Sequence, residues 1–596
     1  MESPDSKPSY LNIEELAQAL FLVLGSGSHD TVGRPSPART DELRDLERHL
    51  LLALSQTRTV DNASSQVNRL PPEVLAHIFS FLQHRPEKPP YPTPQSYNSW
   101  LRATHVCRYW RIVAFAFPRL WNYIHIRGPL DGAAVASIMR SGKVPLKVYY
   151  DYTPMSSRRF VQANYDPSKK NDPLAMVADH ADRLQELHLT SDSESIWNVF
   201  RSPMANLEVL SIIGRWPPHI PNRALPCLFA NDTPNLRKLV LARISSWPLN
   251  DFHNLTHLSL YNQYERGGHR SSTLSLNEFL DILRACPDLE ELVLVRAGPN
   301  AGRSTVPPEA ILMPVSLPSL RDLEIGDWVS PDDVAFFLSH LTFPKKTTLC
   351  IWGDSLDDLS TLLNININNE AGAEDPYSHI TRIVIVGDDT TRRQMLGLKQ
   401  TTLYIHGDTS FSQFQSLFQV SPTILPNVLE LVLSPTPLHP LFSSQLRQIL
   451  SGLSSLVTLT LSGAFYSRTH RLSSALGVFE VEDPDNANVT TPLLHTVNIV
   501  RYAQTDDDSD RSGNSDMDVD ILPLALLVQT RAERGHPIPK FEIEGCRLDQ
   551  LDEFEGHFGQ TRVYPLDAPF GKRMVGRMLD EMWRCVRDAT PGLSGT

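Results

Sequence analysis

An α/β fold is predicted for this chain: a small helical module, then an irregular solenoid whose short strands form a parallel ladder. Three observations predict it. One pattern, apolar-x-x-apolar-x-apolar, recurs between residues 184 and 543. Helix-like segments separate many of its copies, as crossovers between parallel strands require. Ahead of them, residues 66–126 carry two apolar helix patterns parted by a proline-rich stretch.

The first 65 residues read as a helical leader. Leu11 to Leu24 forms a candidate helix, and residues 25–39, rich in Gly, Ser and Pro, a flexible linker. Thr40 can cap the next helix, with Asp41 and Glu42 in its first turn. Leu43, Leu46, Leu50 and Leu54 follow at near-heptad spacing. They suit packing beside the next module or a short coiled-coil contact.

In residues 66–126 the first helix opens at Leu70-Pro71-Pro72-Glu73, where proline fixes φ and needs no helical N–H partner. Val74, Leu75, Ile78, Phe79, Phe81 and Leu82 fall on one arc of about 160°, wider than the roughly 100° of an ordinary surface helix. Part of the arc can pack inside the module, and the rest needs a partner. Val106, Trp110, Val113 and Phe117 mark one face of a second helix. Cys107, Phe115 and Trp121 add apolar bulk beside it. Arg85 to Pro94 between the helices must be a loop.

These residues resemble the F-box family. Leu70-Pro71-x-Glu73, Ile78-Phe79-x-x-Leu82, Cys107-Arg108-x-Trp110 and Leu120-Trp121 match its motif in order. The match covers a small part of the chain. The proline-rich insertion departs from it by lengthening the first interhelical loop. The resemblance implies a domain that binds the Skp adaptor of a Skp–cullin–F-box ubiquitin ligase. It places the contact on Leu70, Pro71, Ile78, Leu82, Cys107 and Trp110.

The ladder occupies residues 127–566. Its firm copies begin at Leu184, Leu207, Leu236, Leu255, Leu289 and Leu320. Further copies start at Ile380, Val428, Leu456, Leu494 and Ile538, with a looser one at Leu403/Ile405. Residues 124–126, 146–148 and 349–351 read as additional strands. The last two apolar residues of each copy point inward, because side chains alternate along a strand. Ser275 to Leu283 and the segment opening Ser330-Pro331 read as helices, the serine as N-cap and the proline at N1. Phe442 to Leu453 is a third.

The pattern resembles a leucine-rich-repeat domain, with two departures. Successive firm copies are unevenly spaced, closest from Leu236 to Leu255 and widest from Leu255 to Leu289. The ninth position, Asn or Cys in that family, holds Asp192, Arg215, Ile244, Gln263, Ala297 and Trp328 here, and only Cys546 fits. The loops must therefore satisfy their backbone differently. Between the inward pair of each copy lies one outward residue. Val240, Val293, Val384 and Val432 are apolar there, which suits a protein-binding row or a covered one.

Asp506 to Asp520 is an acidic insertion, near 503–520, expected to be solvated and disordered. Residues 567–596 read as a closing helix, Lys572 to Val586, and a tail.

The formal charge of −13 argues against a general nucleic-acid binder. No apolar run reaches the ~20 residues of a membrane span, and the N-terminus lacks a signal-like core. Six dispersed cysteines without CxxC suit a reducing, intracellular setting, cytoplasmic or nuclear. No HExxH, GxxxxGK[ST] or GxSxG occurs, and the histidines lack metal-ligand spacing. The expectation is a non-catalytic receptor without cofactor or metal, holding the adaptor, and through it a cullin, at one end and a protein target at the other. The alternatives are a repeat scaffold outside ubiquitination and an unrecognised hydrolase.

Overall fold

The computed structural model describes residues 37–83, 99–128, 131–151, 172–191, 194–214, 223–263, 274–299, 313–328, 330–353, 379–386, 394–406, 427–434, 452–463, 493–501, 535–544 and 561–564, with a few isolated positions. The proline-rich loop, the acidic insertion, the closing helix and nearly all of the Leu11–Leu24 helix lie outside the described residues, as does most of the expected linker and of the Phe442–Leu453 helix. The chain divides into two compact units, Met1–Leu82 with Trp100–Ala116, and Gln83–Ser99 with Phe117–Thr596.

In the first unit, α1 spans Pro37–Ser64. It begins ahead of Thr40, the expected cap. α2 (Pro72–Ser80) starts with Pro71 as N-cap and Glu73 in its first turn. After a 3-10 segment, Ser99–His105, comes α3 (Arg108–Ala116). Leu75, Ala76 and Phe79 of α2 and Val113 and Ala114 of α3 are buried. Burying Leu75 and Phe79 stabilises the unit by roughly 2 kcal/mol each.

The second unit is built on strands. β1 (Tyr123–Ile126), β2 (Leu146–Asp151), β3 (Leu184–Ser191) and β4 (Val209–Gly214) come first. β5 (Arg223–Ala224) and β7 (Ile244–Ser246) form a separate small pair around β6 (Lys238–Ala242). β8 (His257–Tyr261) and β9 (Glu291–Val295) follow. β10 (Val315–Ser316) and β12 (Leu341–Thr342) make a second small pair around β11 (Asp322–Gly326). The rest are β13 (Thr348–Gly353), β14 (Arg382–Val386), β15 (Gln394–Lys399), β16 (Thr402–His406), β17 (Glu430–Ser434), β18 (Thr458–Gly463), β19 (Thr496–Arg501), β20 (Lys540–Glu544) and β21 (Thr561–Tyr564).

Among the described residues, 17 strands form one sheet. Its spatial order is β1-β2-β3-β4-β6-β8-β9-β11-β13-β15-β16-β14-β17-β18-β19-β20-β21. β1 and β21 stand at its ends, so the sheet does not close. Every Leu-rich copy forms a strand, and the neighbours pair in parallel with their pattern positions aligned. One difference is the hairpin β15–β16. β15 runs antiparallel to both β13 and β16 and separates β13 from β14.

The repeated hexad has a physical reading at each position. Its first leucine closes a turn: the N–H of Leu207, Leu236, Leu289 and Leu320 donates to the carbonyl three residues earlier. The next two apolar residues, such as Leu239/Leu241 and Leu292/Leu294, enter one continuous apolar core. Helices α6 (Leu276–Arg284) and α7 (Pro331–Leu338), with α4 (Gly132–Arg140) and α5 (Pro173–Ala178) before them, contribute to that core. Ser275 caps α6 in a complete capping box with Glu278, and Ser330 caps α7 with Pro331 at N1.

Strands β6, β8, β9 and β11 end the same way. Arg243, Asn262, Arg296 and Asp327 take positive φ, between 46° and 62°. Each donates its N–H at 2.8 Å to a carbonyl at the end of the next strand of the large sheet, Tyr261, Val295, Gly326 and Trp352 in turn. This left-handed exit immediately precedes the ninth position. There Gln263 does the bridging expected of Asn: its Nε2 donates to Ile244 O at 2.8 Å and its Oε1 accepts from Gly298 N at 2.9 Å. Ile244, Ala297 and Trp328 at that position fill core instead.

Candidate functional site: an adaptor-type helix face

On α2 the wide apolar arc divides cleanly. Leu75 and Phe79 are buried, while Val74, Ile78, Phe81 and Leu82 stay exposed, Ile78 at 43% and Phe81 at 73%. The exposed residues follow one another around the helix and the turn after it. A contiguous apolar patch of this kind marks an interaction site. Val106, Ile112 and Phe115 are also exposed, on and before α3.

The packing beneath this face is specific. The Phe79 and Trp110 rings lie 5.0 Å apart, tilted by 49°. Trp110 Nε1 donates to Asn68 Oδ1 at 2.6 Å, and Tyr109 donates to the Leu70 carbonyl at 3.2 Å. Both bonds tie the Leu-Pro entry of α2 to α3. Cys107 Sγ accepts from the Trp110 N–H at 3.5 Å and holds the start of α3.

The six residues expected to touch an adaptor therefore separate. Pro71, Ile78 and Leu82 are exposed, and Leu70 is half-buried. Trp110 is half-buried with its polar edge engaged, and Cys107 is buried. Cys107 offers little surface here and holds the start of α3. The expected set omits Val74, Phe81, Val106, Ile112 and Phe115. Val74 and Phe81 are legible in the sequence as members of the wide apolar arc. Ile112 carries no such signal, since it lies opposite the predicted face of its helix. Leu120 and Trp121 belong to the second unit, where both are buried and the Arg140 guanidinium lies 4.6 Å from the Trp121 ring.

Of the two readings of the valine row, the structure has the four side chains packed among their neighbours. Val240, Val293, Val384 and Val432 do face outward, yet they are only 6%, 7%, 2% and 2% exposed. Val240 and Val293 pack with Ile213, Ala242, Tyr261, Val295 and Trp352 in a second apolar cluster, and Val384 and Val432 pack with Tyr404. Strands about 4.8 Å apart bring these side chains together, and the larger rings close over the smaller valines. Trp352 lies across Gly326 and donates to Glu324 Oε1 at 2.9 Å.

Nearer β1 the outer face is polar and aromatic. Tyr149 stacks on His188 at 4.4 Å, Lys147 pairs with Glu186, and His188 Nε2 lies 4.0 Å from Glu186 Oε2. Burial raises the Glu186 pKa, but the neighbouring His188 and Lys147 together outweigh it, so the carboxyl lies below its ordinary range. Ser211 is the cross-strand neighbour of His188. Neither Ser211 Oγ nor either His188 ring nitrogen makes a hydrogen bond among the described residues. These three residues therefore form no nucleophile–base–acid relay, which needs hydrogen-bond contact. Among the described residues no three His, Cys, Asp or Glu are grouped to hold a metal ion, and no helix is long and apolar enough to cross a membrane.

Comparison with curated proteins gives no match to this chain. A family model does match: the one described as F-box-like, over residues 67–127. That span holds α2, α3 and the Leu-Pro entry whose exposed face is described above, and it identifies residues 67–127 as an F-box-like domain.

Proposed function

We propose that this protein is the substrate-recognition subunit of a Skp–cullin–F-box ubiquitin ligase. The observation that carries the reading is the exposed apolar face of α2, Val74, Ile78, Phe81 and Leu82, on a domain of F-box-like sequence. F-box domains bind the Skp adaptor, and this face has the apolar, contiguous character of such a contact. Leu70 and Pro71 set its entry, while Cys107 and Trp110 hold the helices beneath it. The second unit, with its leucine-rich-repeat-like ladder, takes the protein target. The chain performs no covalent chemistry in this scheme. It raises the concentration of target beside a charged conjugating enzyme.

Copurification with a Skp adaptor tests the reading. Wild type should capture adaptor and, through it, cullin, whereas Ile78→Asp with Leu82→Asp should capture neither and keep its circular dichroism. A folded wild-type chain that binds no adaptor would overturn the proposal.

A further inference from the structure

Asn68 lies just ahead of Leu70-Pro71, in the 3-10 turn Gln66–Arg69 between α1 and α2. Its carboxamide is engaged at both ends. Oδ1 accepts from Trp110 Nε1 of α3 at 2.6 Å, and Nδ2 donates at 2.6 Å to the Asn62 carbonyl in the last turn of α1. An indole only donates and a carbonyl only accepts, so these partners fix which way the amide points. The Asn62 carbonyl is among those at a helix end that lack an intrahelical partner, and the Ser65 N–H at 3.1 Å is its other donor. Alanine could fill neither role of Asn68, and a carboxylate only the first. Trp110 in turn supports the exposed face. Its ring packs on Phe79, which turns inward directly beside the outward Ile78 on α2. A tilt of the indole therefore carries into the tilt of α2. Ring contact alone leaves the indole room to slide, and a bond at its polar edge removes that freedom.

We infer that Asn68 is a positioning residue for adaptor binding. It locks the Trp110 indole against the end of α1 and, through the indole, sets the angle of the face formed by Val74, Ile78, Phe81 and Leu82. The inference rests on the adaptor-binding reading and extends it to a polar residue outside the apolar contact set.

Calorimetric titration of a Skp adaptor into the full chain tests it, with circular dichroism showing each variant folded at the titration temperature. Asn68→Ala should weaken binding about fivefold. Asn68→Asp keeps the acceptor for the indole and should recover most of that loss, while its melting temperature stays below wild type for want of the bond to Asn62. Trp110→Phe keeps the ring but has no indole N–H to hold, so it should show the same loss, and adding Asn68→Ala to it should cost no further affinity. That variant carries the test if Asn68→Ala does not fold. Wild-type affinity in Asn68→Ala or Trp110→Phe, with only the melting temperature lowered, would overturn the positioning role. So would Asn68→Asp binding as weakly as Asn68→Ala, or losses that add in the double variant. A folded wild type that binds no adaptor would overturn the adaptor reading and this inference together.

Discussion

Gly326 shows how closely single residues are specified. A Cβ built there would collide with Trp352 Cζ2, so the indole occupies the space a side chain would need. Gly326→Ala should destabilise by about 2 kcal/mol through overpacking. Chemical denaturation of the full chain checks this, and Trp352→Leu in the same chain should recover part of the loss, since touching sites are not additive. Trp110 and Ile78 make a second contrast. Trp110→Phe keeps the ring on Phe79 but loses the bond to Asn68, a cost of about 1 kcal/mol. Ile78→Ala should change stability by no more than about 0.5 kcal/mol. It should weaken adaptor affinity about tenfold, read by calorimetric titration, because a buried contact is lost only in the complex. Periodicity in the sequence separates inward from outward residues. It cannot separate covered from uncovered ones, which is why the four valines read equally as a binding row or a covered one. They share apolar clusters with Tyr261, Trp352 and Tyr404, rings that other strands contribute.

At the scale of elements, the helix caps are legible because capping is local chemistry. Ser275 and Glu278 exchange bonds within a single turn, and the Ser275 contacts lower the Glu278 pKa from its ordinary 4.5. A depressed carboxylate stabilises the fold above its ordinary pKa, and that contribution is lost as pH falls through the lowered value. Ser275→Ala should therefore cost about 1 kcal/mol at neutral pH. Thermal melts of Glu278→Gln should lose that step in acid stability, near and below pH 4.5, that wild type retains. A wild-type-like acid limb in Glu278→Gln would contradict the assignment. The β15–β16 hairpin is not legible as such. Gln394-Met395-Leu396-Gly397-Leu398-Lys399 departs from the hexad, and its glycine weakens a strand reading. Its place is fixed by cross-strand partners, Cys350 and Tyr404 opposite Gly397, that no local pattern announces. The start of α1 at Pro37 is likewise hidden, because proline at a helix start is easily read as linker.

At the scale of the molecule, the sequence distinguishes a named end from an unnamed one. The F-box-like domain is readable residue by residue because its motif is short and ordered. The ladder announces its strands but nothing of what its outer face does, since any inward leucine pair serves the core alone. On the proposed reading, adaptor binding and target binding should separate experimentally. Ile78→Asp should abolish adaptor capture yet leave target capture intact, so that targets accumulate in proximity labelling. Loss of both captures in a folded chain would contradict separate surfaces. The left-handed exits at Arg243, Asn262, Arg296 and Asp327 carry one more consequence. They stop each strand at a common depth, whatever length of chain follows. The copies starting at Leu236, Leu255, Leu289 and Leu320 are unevenly spaced and still keep their register. Length has been uncoupled from alignment. A connection can be lengthened, shortened or exchanged without shifting the strands on either side, so this part of the surface is free to acquire new chemistry while its frame stays still.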